Sequence, residues 1–280
     1  MLGFVGLLTV SIYHRAIVLR AWPPALPEPP EDPYMKYHYV WLVWSSTFVL
    51  LWIGLYLWNA PDRKVIWRTS LATALLGLTE PLFVPEYWNP PSLFHLAQRT
   101  GFDIESLIFS FGIGGIGVVL YNTFTGKHLV AISTEERHRP RHRIHLTALF
   151  VPYILFVPLY FLPWNPIYPS IVTLIVAAIA SVACRPGLKR ETLIGGILFF
   201  GLYTMFMLGL KWFTPGYIER TWNLPALSGG LVYGIPLEEL VFGFSFGLYW
   251  TGVYEHFTWS RRVSHAEGLR EKLVMSERQS

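Results

Sequence analysis

The chain has 280 residues, of which 52% are hydrophobic, 16% aromatic and only 14% charged. A soluble domain carries about a quarter charged residues, so the composition argues against a soluble globule and for a polytopic, all-α membrane bundle. The single cysteine, Cys184, offers neither a disulfide framework nor a thiolate metal site. The net charge of +4 sits in short loops between apolar runs, which fits a membrane face and not nucleic acid.

In chain order, residues 1–20 form an apolar segment weakened as a span by His14, Arg15 and Arg20. No small-residue cleavage site follows, which argues against a cleaved signal peptide. The Pro/Glu stretch from Pro23 to Pro33 reads as a linker. A bilayer core of roughly 30 Å needs about 20 mostly apolar residues per helix. On that criterion spans are expected near 38–58, 66–84, 104–124, 145–163, 167–184, 192–212 and 231–257, or seven to eight with the first segment. The segment after Arg261 is polar and reads as a short exposed helix or a disordered tail.

Basic clusters fall at Arg63, Lys64 and Arg68, at Arg137, Arg139, Arg141 and Arg143, at Arg185, Lys189 and Arg190, and at Arg261 and Arg262. If the spans alternate, all four lie on one face, which the positive-inside rule makes cytoplasmic.

Two acidic segments open apolar helices on the opposite face. The first runs Asp103-Ile104-Glu105-Ser106-Leu107-Ile108-Phe109-Ser110-Phe111, the second Pro236-Leu237-Glu238-Glu239-Leu240-Val241-Phe242-Gly243-Phe244. A constant offset of 133 residues places Glu105 on Glu238, Phe109 on Phe242, Phe111 on Phe244, Gly114 on Gly247 and Tyr121 on Tyr254. Gly77-Leu78 and Trp88 in the first copy have counterparts in Gly209-Leu210 and Trp222. The chain therefore divides into an apolar segment and linker (1–34), a first repeat (35–125), a basic loop and extra span (126–166), a second repeat (167–258) and a tail (259–280). One extra span between three-span units makes the repeats parallel, so Glu105 and Glu238 can converge on one cavity.

A carboxylic acid in an apolar pocket can stay protonated near neutral pH and act as a general acid. The helix dipole opposes this by about 0.3–1 kcal/mol, and capping at an interface is the plain alternative. Phe109, Phe111, Phe242 and Phe244 could stabilise a carbocation at about 0.5–2 kcal/mol each, though aromatics are also ordinary membrane packing. Glu80 lies at the end of a span on the acidic face and either joins the cavity or ends its helix. Arg99 is close enough in sequence to pair with Asp103 or Glu105. Gly112-Ile113-Gly114-Gly115-Ile116-Gly117 fits a dinucleotide pattern but lies in mid-helix, where close helix packing explains it better. His138, His142 and His145 have metal-compatible spacings, but the interleaved arginines favour a solvated basic loop.

Pro236-Leu237-Glu238-Glu239, followed by Leu240 and Phe242, resembles the P-x-E-E/D signature of the membrane lycopene cyclase domain family. The matching pattern of spans covers roughly residues 35–258, and the first copy departs from it at Asp103 and Ser106. The resemblance implies two fused cyclase repeats, a fold distantly similar to the helical prenyltransferases, and redox-neutral cyclisation of a polyene end group without a cofactor. It implies Glu105 and Glu238 as acid and base with Glu239 in electrostatic support, and Phe109, Phe111, Phe242, Phe244, Asp103 and Glu80 against the substrate. The partners implied are an apolar carotenoid and the lipid bilayer, with no nucleic acid and with oligomeric state left open.

Three other readings compete. A diphosphate-metal prenyltransferase would need a second acid one turn on, where Ile108, Phe109, Val241 and Phe242 stand instead. A hydratase would capture the same cation with water. A non-catalytic carotenoid or lipid binder would need no chemistry at all. A fourth reading, a transporter, would suit parallel repeats with midplane charge, but the acids here lie near helix ends and the spans show no paired breaks.

Overall fold

The computed structural model describes residues 37–132, 137 and 145–264. The expected segments at 1–34 and in the tail beyond 264, with His138 and His142, lie outside them. The described chain is a helical bundle: α1 (Val40–Trp58), α2 (Arg63–Ala74), α3 (Ile104–Thr125), α4 (His145–Tyr160), α5 (Ile167–Cys184), α6 (Lys189–Phe213) and α7 (Leu237–Thr258). Short strands β1 (His128–Ala131), β2 (Leu231–Val232), β3 (Ile235–Pro236) and β4 (Ser260–Val263) punctuate it.

Among the described residues, four helical segments are long and apolar enough to cross a membrane: Val40–Trp58, Ile104–Thr125, Ile167–Cys184 and Pro186–Phe213. On α1 the buried residues are Trp41, Ser45, Phe48 and Trp52, a single stripe at helical spacing, while Leu50 and Leu57 point outward. An apolar outer face of this kind suits a hydrocarbon surround.

The other three expected spans differ in form. The segment at 66–84 is α-helical only to Ala74 and continues as a 3-10 helix over Leu75–Leu82, which contains Pro81. The segment at 145–163 ends at Tyr160 and holds Pro152 and Pro158. The segment at 231–257 begins as a hairpin instead of a helix. Tyr233 and Gly234, at φ of 52° and 78°, form the two-residue turn between β2 and β3, and α7 starts only at Leu237.

Helices α3 and α7 are central and pack on each other. Helices α1 and α2 flank α3, whereas α5 and α6 flank α7, and α4 packs against α5. The mid-helix glycines of α3 permit the close approach. A Cβ on Gly114 would stand 2.1 Å from Thr73 Oγ1 and 2.3 Å from Thr73 Cβ on α2. On α7, a Cβ on Gly247 would stand 2.6 Å from Phe199 Cβ on α6. The glycine-rich run is thus a packing device.

Two backbone pairings join the halves at opposite ends. Near the helix starts, Trp88 bridges Trp222, with Asn89 N–H donating to Thr221 O at 2.8 Å and Asn223 N–H donating to Tyr87 O at 2.9 Å. Near the helix ends, β1 pairs antiparallel with β4, with Leu129 opposite Arg262 and His128 opposite Val263. An offset of 133 residues maps this second register onto itself.

Gly114→Ala is expected to destabilise the bundle by about 1–3 kcal/mol, because Thr73 must move. Gly201→Ala, with no atom within 4 Å of the added carbon, is expected to be neutral or to stabilise by up to about 1 kcal/mol. Thermal unfolding of both variants in detergent checks the contrast.

Candidate active site

The acids sit where two helices begin. Asp103 caps α3 in extended geometry, its Oδ1 accepting from Ser106 N–H at 2.5 Å. That cap places Glu105 in the first turn, fully buried. The β2–β3 hairpin and Pro236 set the start of α7, which places Glu238 and Glu239 in its first turn, each 4% exposed.

Glu105 and Glu238 are held alike. Glu105 Oε1 accepts from Leu93 N–H at 2.8 Å, and Glu238 Oε1 accepts from Ser228 N–H at 2.8 Å and from Tyr168 O–H at 2.8 Å. The second oxygen of each is buried and has no hydrogen-bond partner among the described residues. An oxygen left open in this way can take up a hydrogen bond from whatever enters the site.

Glu239 is held differently. Its carboxylate accepts from Tyr203 O–H at 2.5 Å, from Trp222 Nε1–H at 2.7 Å and from the Tyr87 hydroxyl. Three donors and no acceptor suit an ionised carboxylate. Burial, with the charge of Glu239 beside it, pushes the Tyr87 hydroxyl well above the ordinary tyrosine range, so it remains a donor.

Glu80, on the 3-10 helix, is buried beside Trp88, Ser106 and Asp103 and joins the acid group of the first half. Burial lifts Asp103 from the ordinary 3.8 to about 6, against the pull of its bond from Ser106. Tyr217, also buried, feels the charges of Asp103 and Glu105. A run of aromatic contacts links Trp88, beside Glu80, to Trp222, which donates to Glu239. Trp88 meets Trp41 at 4.8 Å and Trp222 at 5.3 Å, and Trp222 meets Tyr217 at 6.3 Å between ring centroids.

The phenylalanines divide. Phe109 and Phe242 both face Tyr203, at 6.5 and 6.1 Å. Phe111 turns to Trp52 and Trp67, and Phe244 to Phe200. Residues two apart on a helix differ by about 200°, so the Phe-x-Phe pairs cannot all line one site. Arg99 is exposed and makes no ion pair with Asp103 or Glu105 among the described residues.

Sequence reading missed Tyr87, Tyr168, Tyr203, Tyr217, Trp41 and Trp222. The available signal was that buried Tyr and Trp tips need polar partners and that unpaired carboxylates are costly.

With this geometry in view, the comparison with known families bears on the second half. Residues 165–257 match the family model described as Lycopene cyclase. The lycopene cyclase resemblance therefore holds over this segment, which contains α5, α6 and most of α7, with Tyr168, Tyr203, Trp222, Glu238 and Glu239. No curated protein and no solved structure matched the chain.

Two outcomes are expected. Asp103 binds its proton more tightly when folded, so its contribution to stability falls as pH rises from about 4 to about 6. Asp103→Asn, which still caps the helix, is expected to flatten that part of a pH series of thermal midpoints. Tyr87→Phe removes one donor from Glu239 and is expected to cost about 1.5–3 kcal/mol, read by unfolding in detergent.

Proposed function

We propose that the chain is a multi-pass membrane carotenoid cyclase that converts the ψ end groups of lycopene, or of a related polyene, to ionone rings. The observation that carries this reading is the matched pair Glu105 and Glu238. Each is buried at the start of a central helix, with one oxygen fixed by a loop N–H and the other spare.

The reaction is redox-neutral. One acid delivers its proton to C2 of the terminal C1=C2 alkene and leaves a tertiary cation at C1. The C5=C6 double bond attacks C1, forming the ring bond and moving the cation to C5. A carboxylate then removes a neighbouring proton and fixes the new double bond. Glu105 and Glu238 share the acid and base roles. Glu239, anchored by its three donors, stabilises the positive charge without moving. Phe109, Phe242 and Tyr203 offer ring faces to the cation.

The matched registers at Trp88–Trp222 and β1–β4 support two parallel repeats around an axis along the helices. Apolar outer helix faces and the basic loops support an integral location in a bacterial or archaeal membrane, with the β1–β4 end toward the cytoplasm. The polyene would then enter from the bilayer on the acidic side.

Coexpression with a lycopene pathway tests the reading. New pigments of unchanged mass are expected, and Glu105→Gln and Glu238→Gln are each expected to lower their yield about 10²–10⁴-fold. Products heavier by one water would indicate a hydratase. Lycopene that copurifies unaltered with folded protein would indicate a binder and overturn the proposal.

A further inference from the structure

A second cluster of chemistry-bearing side chains lies at the other end of α7. His145 opens α4, Cys184 closes α5, and His256 lies in the last turn of α7. All three are buried. One ligand atom from each lies within 4.8 Å of the other two, and Cys184 Sγ is 3.8 Å from His145 Nδ1. Ligands at roughly 2.0–2.3 Å around a tetrahedral zinc stand roughly 3.5 Å apart, so a small contraction closes the set.

The imidazoles are oriented for this. His145 Nε2 is 2.8 Å from the His256 carbonyl, and His256 Nδ1 is 3.1 Å from the Gly252 carbonyl. A carbonyl only accepts, so each of those nitrogens carries a proton, and in a neutral imidazole the other ring nitrogen is then the one that can ligate a metal. Metal-binding histidines are held in this way by a backbone carbonyl on the far nitrogen. The His145 lone pair is the one directed at Cys184. Trp259, at a positive φ of 52°, stacks on His145 at 3.7 Å and fixes the ring plane.

A buried carboxylate stands beside the set. Glu255 is 2% exposed, and its Oε1 has no hydrogen-bond partner among the described residues. It lines the same small cavity as His145, Arg185, His256 and Trp259. Arg185 and Arg262 stand 3.7 and 3.2 Å from its other oxygen.

We propose that His145, Cys184 and His256 form a structural site for a borderline divalent cation of the zinc type. Water, ordered by Glu255, would complete the tetrahedron. Thiolate with two neutral imidazoles is a donor set that zinc favours over magnesium or calcium. The cation would clamp the ends of three helices that no covalent link joins. It would take no part in the chemistry at Glu239, which lies about 26 Å away along α7.

The full chain, purified in detergent, stripped with chelator and titrated with Co²⁺, tests this. A thiolate-to-cobalt charge-transfer band with intense visible bands is expected, displaced by Zn²⁺, together with a rise in thermal midpoint on loading. Cys184→Ser is expected to lose the charge-transfer band and most of that rise. A folded wild-type chain that gives no such band would overturn the proposal, as would a band that survives Cys184→Ser. Neither readout depends on carotenoid turnover, so the site and the cyclase reading fail separately.

Discussion

A carboxylate taken out of water must find its partners inside the protein, and the architecture of this bundle follows from where its carboxylates find them. At the acidic end, Glu239 draws Tyr87, Tyr203 and Trp222 onto itself from three separate segments. Tyr87 belongs to the first half of the chain, so this one side chain ties the loop before α3 to the start of α7. Glu105 and Glu238 take only what holds them in place. Each keeps one oxygen unserved, at a cost of about 1–3 kcal/mol per buried group. A bundle selected for stability alone would have served or replaced those oxygens.

The opposite end obeys the same constraint with the opposite outcome. Arg262, buried on β4, donates to Asn122 Oδ1 at 2.5 Å and pairs with Glu255 at 3.2 Å and Glu191 at 3.4 Å. Asn122 in turn donates to Asp62 at 2.9 Å. The network joins α3, α6, α7, β4 and the turn before α2. Arg262 therefore serves as an internal tie, although its sequence position reads as a loop charge that sets orientation. Buried ion pairs of this kind stabilise little in net terms but cost several kcal/mol when one partner is removed. They fix the register of the two halves.

The apolar helices were legible because hydrophobic length is a local property. The stripe on α1 and the acids at the starts of α3 and α7 fall where their sequence puts them. The break at Ala74 and the hairpin before α7 were less legible, because Pro81 and the Tyr233-Gly234 turn act within runs that remain apolar. The partners of the acids were not legible at all. Tyr87 and Glu239 are 152 residues apart, and no period in the sequence links a loop tyrosine to a distant glutamate. Cys184 shows the same limit. One cysteine reads as offering no thiolate metal site, but a mixed set draws its histidines from other helices, and the packing of α4 on α5 and α7 brings them to it.

The departure of the first motif from the family pattern has a structural counterpart. Ser106 stands at the position of Glu239, so the first half lacks its second acid in the helix. Glu80 reaches the same neighbourhood from the preceding 3-10 helix and lies beside Ser106 and Trp88, much as Glu239 lies beside Trp222. The small serine leaves room for it, and Gly77 lets the 3-10 helix come close, since a Cβ there would stand 2.8 Å from the Ser106 carbonyl. Both halves then hold a buried acid with a spare oxygen and a second acid against a tryptophan. The difference lies in hydrogen bonding. Glu239 is pinned by three donors, whereas Glu80 Oε1 has none among the described residues and Asp103 stands close by. The first half thus gathers its acids with little donor support, whereas the second half fixes one carboxylate with three donors.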